Sequence, residues 1–105
     1  MVRGDVHRIK LTGKRGHVQT RRRYAVIVQA DDLRALSTVV ICPTSRLALP
    51  ASFHPEIAIQ GQPTQVLCEM VAAVDARRLG DRVGHLSHDE LRAVEDALSL
   101  VLELR

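Results

Sequence analysis

Tyr24-Ala25-Val26-Ile27-Val28-Gln29 is a short run of mostly β-branched apolar residues without the polar breaks of an amphipathic helix. Such a run predicts a strand buried on both faces. Ser37-Thr38-Val39-Val40-Ile41-Cys42 has the same character and is expected to stop at Pro43. A polar turn around Asp31 and Asp32 separates the two. Two buried strands so close together predict a mainly β domain.

Upstream, residues 3–11 alternate loosely around Val6, Ile9 and Leu11, which predicts an opening strand. Residues 12–22, TGKRGHVQTRR, hold two glycines and many charges and predict a long loop. Loops of about a dozen residues or more are often functional. Downstream, residues 44–55 contain Pro50 and Pro55 and predict a second loop. Glu56–Ile59 predicts a short strand, Gly61-Gln62-Pro63 a turn, and Thr64–Val74 a longer strand. Asp75–Arg78 is compatible with one helical turn and Arg82–His85 with a last short strand.

Ser87 and Glu90 stand in the S-x-x-E spacing of a capping box, in which each side chain satisfies the other's orphan N–H. Leu91, Val94, Leu98 and Val101 follow at helical spacing, with Ala97 and Leu102 beside them. The chain therefore predicts a strongly curved antiparallel sheet or barrel with one C-terminal amphipathic helix packed on it. At 105 residues, without linker or repeat, it is expected to form a single domain over 1–105.

Composition narrows the function. Hydrophobic residues are 46% and charged residues 26%, so disorder is not expected. No apolar run reaches the roughly 18 residues of a membrane span, and MVRGDVHRIKL lacks the apolar core of a signal peptide. A cytoplasmic protein without membrane contact is expected. Cys42 and Cys68 are the only cysteines, both in apolar strand-like runs, and are expected to be reduced core residues. No phosphate-cradling glycine loop, dinucleotide fingerprint or zinc spacing occurs. His85 and His88 lie at a helix entrance without further ligands, so no metal is expected.

The charge is unevenly spread. Residues 1–23 hold eight basic side chains against Asp5 alone and carry +7, while the remainder carries −4. An anionic partner or a solvated basic loop accounts for this equally well. The chemically useful residues are the junction Gly16-His17-Val18-Gln19-Thr20-Arg21-Arg22-Arg23 and the strand end Cys42-Pro43-Thr44-Ser45. RNA can be cut without a metal when its 2′-hydroxyl attacks the adjacent phosphorus and the protein moves protons and stabilises the phosphorane. Arginine suits that charge through its fixed fork of donors. His17 is a candidate proton shuttle, because free imidazole changes charge near neutral pH. A Thr-Ser pair after proline also reads as turn chemistry.

Arg3-Gly4-Asp5-Val6 resembles the opening of the MazF/PemK toxin family. Gly16-His17-x-Gln19, Arg23 before the apolar strand, and Val39-Val40-Ile41-Cys42-Pro43-Thr44-Ser45 continue the likeness. Val74-Asp75, Arg78-Leu79-Gly80, Val83-Gly84-His85-Leu86-Ser87 and Glu95-Ala97-Leu98-x-Leu100-Val101-Leu102 extend it in order over nearly the whole chain.

The resemblance implies an SH3-like barrel of the CcdB/PemK (MazF) type with a C-terminal helix, formed as a homodimer. It implies ribosome-independent cleavage of single-stranded RNA at short sequences, leaving 2′,3′-cyclic phosphate and 5′-hydroxyl ends, with no cofactor. It implies a cognate MazE-like antitoxin with an acidic and apolar tail. Arg23 matches the catalytic arginine, for acid catalysis and phosphorane stabilisation. Thr44 matches the catalytic threonine, a donor to phosphate, and Ser45 would line the same pocket. Gln19 matches a residue that orients substrate or loop, and His17 a histidine that helps stabilise the transition state in some members. Glu69 lies where some members carry a candidate general base, although a half-exposed strand residue in an ion pair explains it equally well. Lys14, Arg15, Arg21 and Arg22 are expected to bind the substrate backbone, and the 12–22 loop to be mobile until RNA or antitoxin orders it.

Departures bear on specificity. Val18 replaces a usual glutamate, Tyr24 a proline, and His7 an aromatic residue. Met70 and Ala72 replace glutamine and arginine, and Leu67 an arginine of one branch. The recognition sequence is therefore not inherited, and another proton acceptor, such as His17, would replace Glu69. Same-fold toxins that inhibit gyrase, and a silent module that only binds antitoxin, are the alternatives; Arg23 and Thr44 argue against the first.

Overall fold

The computed structural model describes residues 1–10 and 23–104. Seven strands form one curled antiparallel sheet: β1 (Asp5–Ile9), β2 (Tyr24–Ile27), β3 (Thr38–Ser45), β4 (Glu56–Ile59), β5 (Gln62–Val66), β6 (Ala72–Asp75) and β7 (Leu79–His85). They run in the order β4-β5-β3-β2-β1-β7, with β6 also on β3. The helix α1 (His88–Leu102) follows. This is the mainly β architecture with a C-terminal helix that the sequence predicts.

All four residues of β2 are buried because its alternate side chains enter two different cores. Tyr24, Val26 and Val28 join Cys42, Ile57, Ile59, Val66 and Cys68, under Val94 and Ala97 of α1. Ala25 and Ile27 face the other way, with Ile9, Val39 and Ile41. A strand covered on both faces needs the unbroken apolar run seen in the sequence.

The expected stop at Pro43 does not occur; β3 continues to Ser45. The Pro43 carbonyl accepts from the Leu67 N–H. Its nitrogen therefore faces the gap where β3 passes from β6, which ends at Ile41↔Ala72, to β5, which begins at Thr44↔Val66. A residue without an N–H is tolerated there because the Leu67 carbonyl, the acceptor it would face, takes the Met70 N–H instead.

The long strand expected over Thr64–Val74 is two strands separated by a 3-10 turn at Cys68–Met70. The Met70 N–H bonds back to the Leu67 carbonyl, which bends the chain from one half of β3 to the other. The turn expected at Gly61-Gln62-Pro63 is instead Gln60-Gly61, with φ of 51° and 79°, and Gln62 and Pro63 already belong to β5. Positive φ at both central residues is what a two-residue hairpin between right-twisted strands requires.

Both halves of the capping box form: Glu90 N–H donates to Ser87 Oγ at 3.1 Å, and Ser87 N–H to Glu90 Oε1 at 2.9 Å. Glu90 Oε2 also accepts from the Ala58 N–H at 2.9 Å, tying the helix start to β4. Burial raises the Glu90 carboxyl pKa, but the Ser87 and Ala58 donors outweigh it and hold it below the usual value. Among the described residues no helix is long and apolar enough to cross a membrane.

Candidate active site

The register Ala25↔Pro43 brings the start of β2 beside the end of β3. Continued outward, it sets Tyr24 opposite Thr44 and Arg23 opposite Ser45. The β4–β5 hairpin closes the third side. The resulting cleft, about 430 Å³, is lined by Arg23, Tyr24, Thr44, Ser45, Arg46, Leu47, Gln60 and Thr64. Three residues expected from the sequence, Arg23, Thr44 and Ser45, thus come together.

Arg23 is held through its backbone: its carbonyl accepts from the Ile9 N–H at 3.0 Å. Its side-chain Nε is buried and has no hydrogen-bond partner among the described residues. A buried donor without a partner is costly, and an anion in the cleft would satisfy it. Thr44 is 4% exposed, and its hydroxyl donates to the Tyr24 carbonyl at 3.0 Å. To reach a phosphate oxygen it must exchange that acceptor by rotating about its side-chain bond. Ser45 Oγ accepts from the Leu47 N–H at 3.1 Å and shapes the chain leaving the strand.

Arg46, Leu47, Gln60 and Thr64 complete the lining, and sequence reasoning did not single them out. Arg46 could have been found, since it follows the Thr-Ser pair directly. Gln60 and Thr64 arrive through a hairpin, which no local motif reveals. Among the described residues the ionic side chains on the lining are two guanidiniums, Arg23 and Arg46. Such a surface attracts a polyanion.

Glu69 does not line this cleft. It stands in the 3-10 turn between β5 and β6, where its Oε2 lies 2.8 Å from Nε2 of His54. The other nitrogen of His54 is 2.8 Å from the Leu49 carbonyl. Two acceptors make both ring nitrogens donors, and this arrangement raises the His54 pKa, through Leu49 first and Glu69 second. The pair fastens the chain between β3 and β4 onto the turn. Lys14, Arg15, His17, Gln19, Arg21 and Arg22 lie outside the described residues.

The Arg3-Gly4-Asp5-Val6 opening serves the frame. Gly4 takes φ +91°, and a Cβ there would stand 3.1 Å from the His85 ring. The bend buries Asp5, which accepts from the Val2 N–H at 2.9 Å and faces His85 Nδ1 at 2.8 Å and Arg82 Nε at 3.5 Å. Burial raises its pKa, but His85, Val2 and Arg82 together outweigh that and lower it.

Comparison with known proteins agrees with this fold. The profile of a family described as PemK-like, MazF-like toxin of type II toxin-antitoxin system matches residues 2–102. A relative from Mycobacterium tuberculosis (strain ATCC 25618 / H37Rv), named "Putative toxin Rv3098A/RVBD_3098A", is 36% identical over 106 residues, spanning 99% of each chain. Among solved structures, a MazE-MazF crystal structure from Deinococcus radiodurans superposes with a TM-score of 0.84 at 19% identity, over 100% of this chain and 98% of that one. An endoribonuclease in complex with its cognate antitoxin, from Mycobacterial species, gives 0.80 at 18% identity, over 100% and 97%. These last two likenesses show the fold.

Proposed function

Because this chain belongs to the PemK-like, MazF-like toxin family of type II toxin-antitoxin systems, we propose that it is an endoribonuclease whose active site is the Arg23–Thr44 cleft. The observation that carries the proposal is the buried Arg23 Nε, without a partner among the described residues, in a cleft whose ionic lining groups among those residues are guanidiniums. The substrate is single-stranded RNA. Its 2′-hydroxyl attacks the neighbouring phosphorus, and the 5′-oxygen leaves. The products carry a 2′,3′-cyclic phosphate and a 5′-hydroxyl, and neither metal nor ribosome takes part.

The Arg23 guanidinium presents several donors to the phosphorane oxygens. A leaving alkoxide is a stronger base than guanidine, so a proton passes downhill from Arg23 to the 5′-oxygen. Thr44 turns its hydroxyl from the Tyr24 carbonyl to a phosphate oxygen, exchanging a neutral acceptor for a charged one. Arg46 and Gln60 stand at the same cleft and serve the flanking nucleotides. No carboxylate or imidazole lines the cleft among the described residues. Glu69 is engaged by His54, so we assign the proton acceptor to His17. Gln19, Lys14, Arg15, Arg21 and Arg22 hold the RNA backbone. The protein works as a cytoplasmic homodimer, and the acidic tail of a cognate antitoxin competes with RNA for the cationic cleft.

The test is incubation with a long RNA in EDTA, followed by mapping of the new 5′ ends. Cuts at a recurrent short sequence, with 5′-hydroxyl ends, are expected from the native chain and not from Arg23→Ala. Intact RNA from folded protein would remove the nuclease reading and favour gyrase inhibition or antitoxin binding alone.

A further inference from the structure

The two cysteines lie in different strands of the sequence pattern but meet in the fold. The β3–β5 register is Thr44↔Val66 and Ser45↔Gln65. Beyond Val66 the ladder gives way to the 3-10 turn that Cys68 opens. The Pro43↔Leu67 step is a hydrogen-bonded one, since the Leu67 N–H donates to the Pro43 carbonyl at 2.8 Å. The Val66 N–H points away from β3 to the Pro55 carbonyl, as expected at a step without cross-strand bonds. Cys42 and Cys68, the residues next to that bonded step, are thereby brought into the same buried cluster.

That proximity matters for sulfur chemistry, because a disulfide needs Cα atoms within about 4.4–6.8 Å of each other. Both cysteines are free and fully buried, and both belong to the same core cluster. From this juxtaposition we propose that Cys42 and Cys68 are an oxidative modification site, closing to an intrachain disulfide when a peroxide or a small-molecule disulfide is present.

The step balances with hydrogen peroxide as oxidant. The Cys68 sulfur attacks one peroxide oxygen, water leaves, and a sulfenic acid remains. The Cys42 sulfur then attacks the Cys68 sulfur, and a second water leaves with the Cys42 proton. Two thiols lose two electrons and two protons, and one peroxide becomes two waters. The order follows from the surroundings. The Cys42 thiol, hydrogen-bonded to Cys68 and buried, is pushed up and keeps its proton. The same hydrogen bond lowers Cys68, and nearby His54 adds to this.

The bond would join two functional pieces. Cys42 lies two residues before Thr44 on the strand that floors the cleft. Cys68 opens the turn whose Glu69 holds His54. Closure would fasten the cleft strand to the anchor of the β3–β4 connection, enclosing residues 43–67.

The experiment uses the whole reduced chain. One portion is treated natively with hydrogen peroxide. Another is unfolded and refolded in a glutathione redox buffer, which removes any barrier of oxidant access. Both are alkylated under denaturing conditions, digested and weighed. The expected result is a Cys42–Cys68 cross-linked peptide, an intact mass lower by two hydrogens, and an unfolding midpoint raised by about 10 °C and restored by dithiothreitol. Cys68→Ala must abolish the cross-link and the shift. Free thiols after both routes, separate oxidation to sulfinic acid, or a cross-link only between chains would overturn the proposal. None of these readouts depends on RNA cleavage.

Discussion

His54 Nε2 and Glu69 Oε2 lie 2.8 Å apart, with the His54 ring held on its other side by the Leu49 carbonyl. The imidazolium is the form that satisfies both acceptors, so its pKa is raised above 6.5. A raised histidine stabilises the fold fully below its unfolded pKa and loses that contribution as pH rises through the folded value. Glu69→Gln keeps an acceptor but removes the charge. An NMR titration of His54 in that variant is expected to show its pKa moved back toward 6.5. RNA cleavage is expected to stay within a few-fold of the native rate; a loss of about 100-fold or more would restore Glu69 as the base.

Arg23 and Thr44 separate charge from position. Arg23→Ala is expected to lower kcat by about 10²–10³-fold, the usual cost of losing a transition-state donor. Arg23→Lys keeps the charge but not the fork, and is expected to recover only a small part. Thr44→Ser is expected to retain activity, whereas Thr44→Val leaves the Tyr24 carbonyl without its 3.0 Å donor. That change is expected to cost about 1 kcal/mol of stability as well as most of the cleavage. Single-turnover rates on a short oligoribonucleotide, with urea unfolding, would check all four.

Asp5 is the buried carboxylate of the β1–β7 edge. Its folded pKa is lowered, so its contribution is present above the unfolded value of 3.8 and fades as pH falls through the folded one. Asp5→Ala strands the Val2 N–H and removes the partner of His85 and Arg82. His85 and Arg82 are partly solvated, with side chains 45% and 59% exposed, so a loss of about 1–3 kcal/mol is expected. Equal acid limbs for the native chain and the variant in a pH series of unfolding would refute this role.

The capping box gives a prediction independent of the cleft. Ser87→Ala is expected to destabilise by about 1 kcal/mol. Glu90→Ala should cost more, because Glu90 also accepts from Ala58 and ties α1 to β4. Thermal unfolding would rank the two, and a larger loss at Ser87 would contradict the link.

Much of this fold was legible locally. The buried strands, the capping box and the helix face around Leu91, Val94 and Leu98 each follow from a period or a spacing. Leu102 departed from the expected face, being 50% exposed near the helix end. The ends of β3 and β5 were not legible, because they depend on which neighbour each residue meets. A proline stops a strand only where a backbone N–H is needed, and here the partner changes at Pro43. The same holds for the site. Arg23, Thr44 and Ser45 sit on two adjacent strands and carry a recognisable order. Gln60 enters through a hairpin, and the His54–Glu69 pair joins residues 15 apart across a loop. The Cys42–Cys68 meeting becomes visible only once the register is known.

The pairing of Asp5 with His85 has a consequence for timing during synthesis. β1 is made first, yet its outer neighbour β7 comes some 80 residues later, and Leu86, Val94 and Ala97 complete the main core later still. Contacts that distant form slowly and only after the intervening chain exists. While the last quarter of the chain is still inside the ribosome, the sheet has an open side and the core lacks its helix. Closure of the core therefore waits for β7 and α1, which follow every other strand in chain order.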